Sequence, residues 1–161
     1  RMLRHSGIID LKKLCITEGE KVWKVIIDIY PINDDGNLID AASIAAVAAL
    51  HKSIMPGIKD ERVDYKNRTN KKLPLSDEII PISFTFHKLG DSIILDPTRE
   101  ESEACDAKIT WGISKWNKQY MINSCQKGQE IPFSKEEIGK MMEILPEKYE
   151  EVFKKLKKYF K

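Results

Sequence analysis

Cysteine is scarce in this chain, and Cys15, Cys105 and Cys125 form an odd set without metal-type spacing. This argues against a disulfide framework or a zinc centre, and the expectation is buried free thiols in a reducing compartment. Long apolar runs are missing too. None approaches the roughly 20 residues that cross a bilayer, and nothing reads as a secretory signal, so no membrane role is expected and the location is expected to be cytoplasmic. Charge of one sign is also lacking. The formal net charge is only +2, so any contact with nucleic acid has to come from local clustering. No aromatic residues interleave with the basic clusters as a stacking platform would. There are no internal repeats and no low-complexity tracts. His51 and His87 stand alone and Ser43 has no paired base, so none of the three is read as catalytic.

What is present is a globular composition. The chain has 161 residues, 42% hydrophobic and 32% charged, which fits one soluble domain with a real core. The most informative stretch runs from Gly19 to Leu50. Val22 to Tyr30 is rich in β-branched and aromatic residues and predicts a mostly buried strand, with Trp23 in the core. Asn33-Asp34-Asp35-Gly36 is a turn, because Asn and Asp tolerate the left-handed region and Gly takes positive φ freely. Asp40 is the expected N-cap of a helix over 40–53, in which Ala41 to Leu50 holds six alanines and admits close packing. A strand end beside a helix N-terminus is where phosphate-binding proteins place an anion.

Elsewhere the pattern is mixed. Arg1 to His5 reads as the last turn of a helix stopped by Ser6-Gly7. A helix met at its own end leads to the expectation of a fragment, a processed chain or one half of a split protein. Ile8 to Ile16 is a connector with one helical turn. Lys59 to Lys72 reads as a polar, basic loop with a short strand near Val63–Tyr65. Ile80 to His87 predicts a strand, turning at Gly90-Asp91 into Ser92–Asp96. Pro97 to Glu103 is an acidic linker or short helical turn. Cys105–Ser114 and Tyr120–Gln126 predict a hairpin, with Trp111 in the core and Trp116 in the turn as an interface contact. Ser134 and Glu137 form a capping box for a last helix. Its stripe is Ile138, Met141, Met142, Leu145, Tyr149, Val152, Phe153, Leu156 and Phe160, and Pro146 predicts a kink within it. The whole is α+β, with a mixed or antiparallel sheet and helices on one face.

Several segments carry a family resemblance in order along the chain: IDLKKLCITEGEKVW (Ile9 to Trp23), IDIYPINDDGNLIDAASIAAVAAL (Ile27 to Leu50), KKLPL (Lys71 to Leu75), LDPTREESEACDA (Leu95 to Ala107) and QKG (Gln126 to Gly128). Together they resemble the C-terminal half of a ribonuclease PH-family subunit of the RNA exosome. The greatest similarity is to the archaeal subunit that is the non-catalytic partner in the hexameric ring. The resemblance implies an RNase PH-like fold (ribosomal protein S5 domain 2-like), here its second half. Residues 1–161 would form one domain, with an N-terminal half missing or on a separate chain.

In catalytic members of that family, inorganic phosphate attacks the RNA 3′ end and releases nucleoside diphosphates. They place a Gly-Thr-Arg or Gly-Ser-Arg type motif at the start of the alanine-rich helix. Asn37-Leu38-Ile39 stand at those positions here, without a hydroxyl or a guanidinium, and Asp40 repels anions. Phosphate would then be a co-substrate only at a partner's site, with no cofactor held by this chain. Glu100 and Asp106 keep the spacing of the family's catalytic acids. As the alternative, they would bind Mg²⁺ or Mn²⁺ in an active subunit; the plainer reading is an acidic turn with Asp106 structural.

The resemblance also assigns Arg1 and Arg4 to the RNA path, where they would hold phosphates without reading bases. Lys66, Arg68, Lys71 and Lys72 are secondary candidates for RNA or subunit contact. The basic residues from Lys154 to Lys161 are read as the solvated face of the last helix. The implied role is a structural, RNA-binding subunit of a phosphorolytic 3′→5′ exoribonuclease ring. The implied partners are a catalytic RNase PH-like subunit, RNA, a separate N-terminal half and RNA-binding cap subunits.

Overall fold

The structure, a computed structural model, describes residues 1–59 and 62–160, with Arg68 described in its backbone only. The first element is a short helix, α1 (Met2–His5), closed by Ser6, with Gly7 at φ 74°. A 3₁₀ turn at Leu11–Leu14 leads into β1 (Cys15–Thr17), which pairs antiparallel with β2 (Lys21–Val22). α2 spans Leu38–Lys52, and β3 (Ile54–Lys59) pairs antiparallel with β4 (Arg62–Lys72). β5 (Ile82–Leu89), β6 (Ser92–Leu95), β7 (Ala107–Trp116) and β8 (Gln119–Gly128) form one antiparallel sheet in the order β6-β5-β7-β8. α3 (Arg99–Ala104) lies between β6 and β7, and α4 (Lys135–Leu156) follows the sheet.

The core sits on this four-stranded sheet. Side chains alternate along a strand, so Ile82, Phe84 and Phe86 share one face of β5 and pair across with Ile113, Trp111 and Ile109. Met141, Leu145 and Tyr149 of α4 join that cluster, and the Tyr149 hydroxyl donates to the Ile80 carbonyl at 2.8 Å. Ser83, Thr85 and His87 line the other face. β6 pairs with β5 only from Phe86 onward. Upstream of that point α2 closes the strand's edge: Asp40 accepts from the Thr85 N–H at 2.8 Å and Ser43 Oγ from the Ser83 N–H at 3.3 Å. Side chains from α2 thus satisfy donors that a neighbouring strand would otherwise take. The α+β class holds, and its long helices meet β5 through alternating residues, α2 at Ser83 and Thr85 and α4 beside Phe86.

Several expectations change. Val22–Tyr30 is not a buried strand. Pairing stops at Val22, Trp23 is half-buried, and Ile26 and Tyr30 are 67% and 82% exposed. The segment has the composition of a strand but no partner strand among the described residues, and a strand cannot close its backbone hydrogen bonds alone. Lys59–Lys72 is mostly a long strand rather than a loop, with Pro56-Gly57 inside its partner β3. The thiols are free, but Cys15 and Cys125 are exposed because they lie on β1 and on the outermost strand β8. α2 begins two residues before Asp40. Pro146 lies inside α4 and does not divide it into two helices, and Met142 of the predicted stripe is 45% exposed. The first helical turn, the β5–β6 and β7–β8 hairpins and the Ser134–Glu137 capping box stand where the sequence placed them.

Candidate functional site

The α2 N-terminus is built from a turn that cannot relax. A Cβ at Gly36, whose φ is 92°, would meet the Pro97 carbonyl oxygen at 2.5 Å, so the turn lies directly on the chain entering α3. Asp34 Oδ1 accepts from the Gly36 N–H at 3.2 Å. Asn37 and Asp96 both adopt left-handed backbone, φ 48° and 60°, a conformation that Asx residues tolerate. Their side chains meet, with Asn37 Nδ2 donating to Asp96 Oδ1 at 3.0 Å. The start of α2 and the acidic turn near Glu100 are thereby held as one unit.

Asp40 is a correction to the sequence reading. It is the third residue of the helix, not its N-cap, a place taken by Asn37, which makes no side-chain capping bond. Its buried carboxylate turns inward. Oδ2 accepts from the Thr85 N–H and Oδ1 from the Thr85 hydroxyl, each at 2.8 Å. Thr110 Oγ1 lies 2.9 Å from Thr85 Oγ1 and donates to it when Thr85 donates to Asp40. Burial pushes the Asp40 carboxyl up to about 6, against the opposing pull of the Thr85 bonds. Beside this network lies a cleft of about 220 Å³ with Asn37, Thr85, His87, Arg99 and Lys108 in its wall. Burial, then Lys108, pushes His87 down from the usual imidazole range. Arg99 is engaged by Glu103 at 2.9 Å. Sequence reading missed this cluster; its trace is the polar alternation Ser83, Thr85, His87 in an otherwise apolar strand.

The other sequence candidates fall in separate places. Glu100 is exposed on α3. Asp106 opens the approach to β7, where its carboxylate accepts from the Gly90 N–H at 2.8 Å and its own N–H donates to the Lys88 carbonyl at 2.8 Å. Asp106 thus ties the β5–β6 turn to β7. Among the described residues no group of three or more His, Cys, Asp or Glu is gathered as a ready-made metal cage.

Arg1 and Arg4 are both exposed, three residues apart on α1. Met2 between them anchors the turn: Ser83 Oγ donates to its sulfur at 3.1 Å, and a Cβ at Gly112 would meet its side chain at 2.7 Å. Lys66, Lys71 and Lys72 are exposed on β4, away from Arg1 and Arg4 in the sequence, and the Arg68 side chain and Lys161 lie outside the described residues.

Residues 1–56 match the description "3' exoribonuclease family, domain 1" and residues 80–144 match "3' exoribonuclease family, domain 2". The chain belongs to the 3′ exoribonuclease family. Its similarity to the exosome complex component Rrp42 of Methanothermobacter thermautotrophicus is 37% identity over 158 residues, 98% of this chain and 57% of the relative. For Rrp42 of Thermoplasma acidophilum the identity is 40% over 162 residues, 100% of this chain and 56% of the relative. The chain therefore spans about half the length of these relatives. Among solved structures, it superposes on a chain of an archaeal exosome core with a TM-score of 0.76 at 32% identity, covering 89% of this chain and 54% of that one. On a chain of an Archaeoglobus fulgidus exosome described with RNA bound to the active site, the TM-score is 0.79 at 33% identity, covering 95% and 57%.

Within this family frame, α1 and α2 belong to the first-domain match, and the four-stranded sheet with the start of α4 to the second. Residues 57–79, which contain all of β4, fall between the two matches. Among the described residues no helix is long and apolar enough to cross a membrane.

Proposed function

We propose that this chain is a non-catalytic, RNA-contacting subunit of a phosphorolytic 3′→5′ exoribonuclease ring. It works beside a catalytic member of the same family. One observation carries the reading: the start of α2 presents Asn37, Leu38 and Ile39, which bring no hydroxyl and no guanidinium to a phosphate. The one charged group in that first turn, Asp40, is an acid turned onto Thr85. A negative charge at a helix N-terminus opposes an anion there, because both would use the same positive end of the dipole. The similarity to Rrp42 and to exosome chains supports the assignment to a ring. Arg1 and Arg4 supply this subunit's charge for the RNA backbone, held in place by buried Met2.

The test is phosphorolysis of 3′-labelled RNA in inorganic phosphate, by the chain alone and with a catalytic family partner. Nucleoside diphosphate release is expected only with the partner. Release by this chain alone would overturn the reading, and loss of that release in Asp106→Asn would favour the alternative active subunit. In the assembled enzyme, Arg1→Ala with Arg4→Ala is expected to raise the KM for RNA and leave the KM for phosphate unchanged.

A further inference from the structure

We propose that the β3–β4 ribbon is a second RNA-contacting surface. Lys59, Arg62 and Lys66 grip the phosphodiester backbone, and Tyr65 offers a face on which a base stacks. The proposal rests on the reading above that the chain works on RNA, and it adds a site outside both family matches.

Charge is the first observation. From Ile54 to Lys72 the sequence holds six Lys or Arg against three Asp or Glu, an excess larger than the +2 of the whole chain. The rest of the protein is therefore net acidic, and this ribbon is one of two basic clusters, the other being the five lysines between Lys154 and Lys161.

Shape is the second. Among the described residues β3 and β4 pair only with each other. Their register runs from Gly57 opposite Asp64 to Pro56 opposite Arg68, so Tyr65, Lys66 and Asn67 are extra residues that bulge from β4. Tyr65 is 81% exposed on that bulge. An open depression of about 650 Å³ is lined by Lys59, Arg62, Val63, Asp64 and Lys66. Among the described residues that line it the one acid is Asp64, whose carboxylate accepts from the Lys66 backbone N–H at 3.0 Å. Lys59, Arg62 and Lys66 are exposed and take part in no ion pair among the described residues, whereas Lys148 and Lys155 of α4 are both held by Glu151.

Cations around a concave surface, with an exposed aromatic residue on the adjoining bulge, match single-stranded nucleic acid, in which phosphates alternate with stackable bases. Along β4, Tyr65 falls between Arg62 and Lys66 in chain order, beside the depression rather than in its lining.

Fluorescence anisotropy of a labelled single-stranded RNA with the full chain, across a salt series, tests the proposal. Lys59→Gln/Arg62→Gln/Lys66→Gln is expected to weaken binding at least about 10-fold at low salt. It should also reduce the slope of log affinity against log salt by about 2, since each single-strand phosphate contact contributes about 0.7. Tyr65→Ala is expected to weaken binding at least about 5-fold with the salt slope unchanged. Lys154→Gln/Lys157→Gln/Lys158→Gln on the tail is expected to change affinity less than about 2-fold, which separates the ribbon from general charge loss. Circular dichroism of each variant reports folding. RNA binding that persists in the ribbon variants with the same affinity and slope, but falls in Arg1→Ala/Arg4→Ala, overturns the ribbon and leaves the proposed function standing. Absence of RNA binding by the unaltered chain overturns both. Unchanged RNA binding with lost association to a catalytic family partner also overturns the proposal, in favour of a protein contact.

Discussion

At the scale of single residues, Asp40 shows how one acid can serve architecture at a place suited to anion chemistry. Its carboxylate satisfies the Thr85 N–H at the open edge of β5, and in doing so sets a negative charge inside the first turn of α2. Burial raises its carboxyl to about 6 from 3.8. The folded state therefore binds the proton more tightly than the unfolded chain does. This contribution to stability is complete below about pH 4 and is lost as the pH rises through 6. Denaturant melts from pH 4 to 7 should show a component that falls with pH, at most about 1.4 kcal/mol per pH unit from this group. Asp40→Asn should remove that component. An identical pH profile in the variant would refute the assignment.

At the scale of elements, α4 is held at its start by reciprocal bonds. Ser134 Oγ accepts from the Glu137 N–H at 3.1 Å, while Glu137 accepts from the Ser134 N–H at 2.6 Å. Glu137 also meets Lys88 of β5 at 2.8 Å, and that contact, with the Ser134 N–H, holds its carboxyl below the usual range. The cap thus fixes where the helix begins and how it docks on the sheet. Ser134→Ala should destabilise the protein by about 1 kcal/mol, lowering the thermal midpoint by about 2–4 °C. An unchanged midpoint would show that α4 is positioned by its apolar face alone. This element was legible in advance because a capping box and a 3.6-residue stripe are local signals. β3 was not: Pro56-Gly57 reads as punctuation, and only pairing with β4 makes those residues a strand.

At the scale of the whole molecule, the order of buried and exposed apolar surface is uneven. The sheet and α4 enclose a closed core, whereas Val22, Ile26, Ile29, Tyr30 and Ile32 are from 52% to 101% exposed in one run. An extended apolar segment with unpaired backbone groups seeks a strand or an apolar face. The chain is expected to self-associate as its concentration rises, measured by light scattering after size exclusion. Ile26→Lys with Ile29→Lys should shift it toward monomer without lowering the melting midpoint, because neither side chain is in the core. A monomer at all concentrations would contradict this.

The sequence by itself determined the class, the strands of the main sheet, the start of the last helix and the family, since each rests on local periodicity, a cap or an ordered set of motifs. It also showed what Asn37-Leu38-Ile39 lack, because missing functional groups need no coordinates. Only the tertiary structure decided that Asp40 faces Thr85, that Asp106 is tied to Gly90, that the run after Val22 has no partner strand among the described residues, and that Lys59, Arg62 and Lys66 line one depression. The physical reason is common to all four. Burial, strand pairing and the convergence of charges depend on which distant residues arrive beside a group, and that information is not carried by its neighbours in the chain.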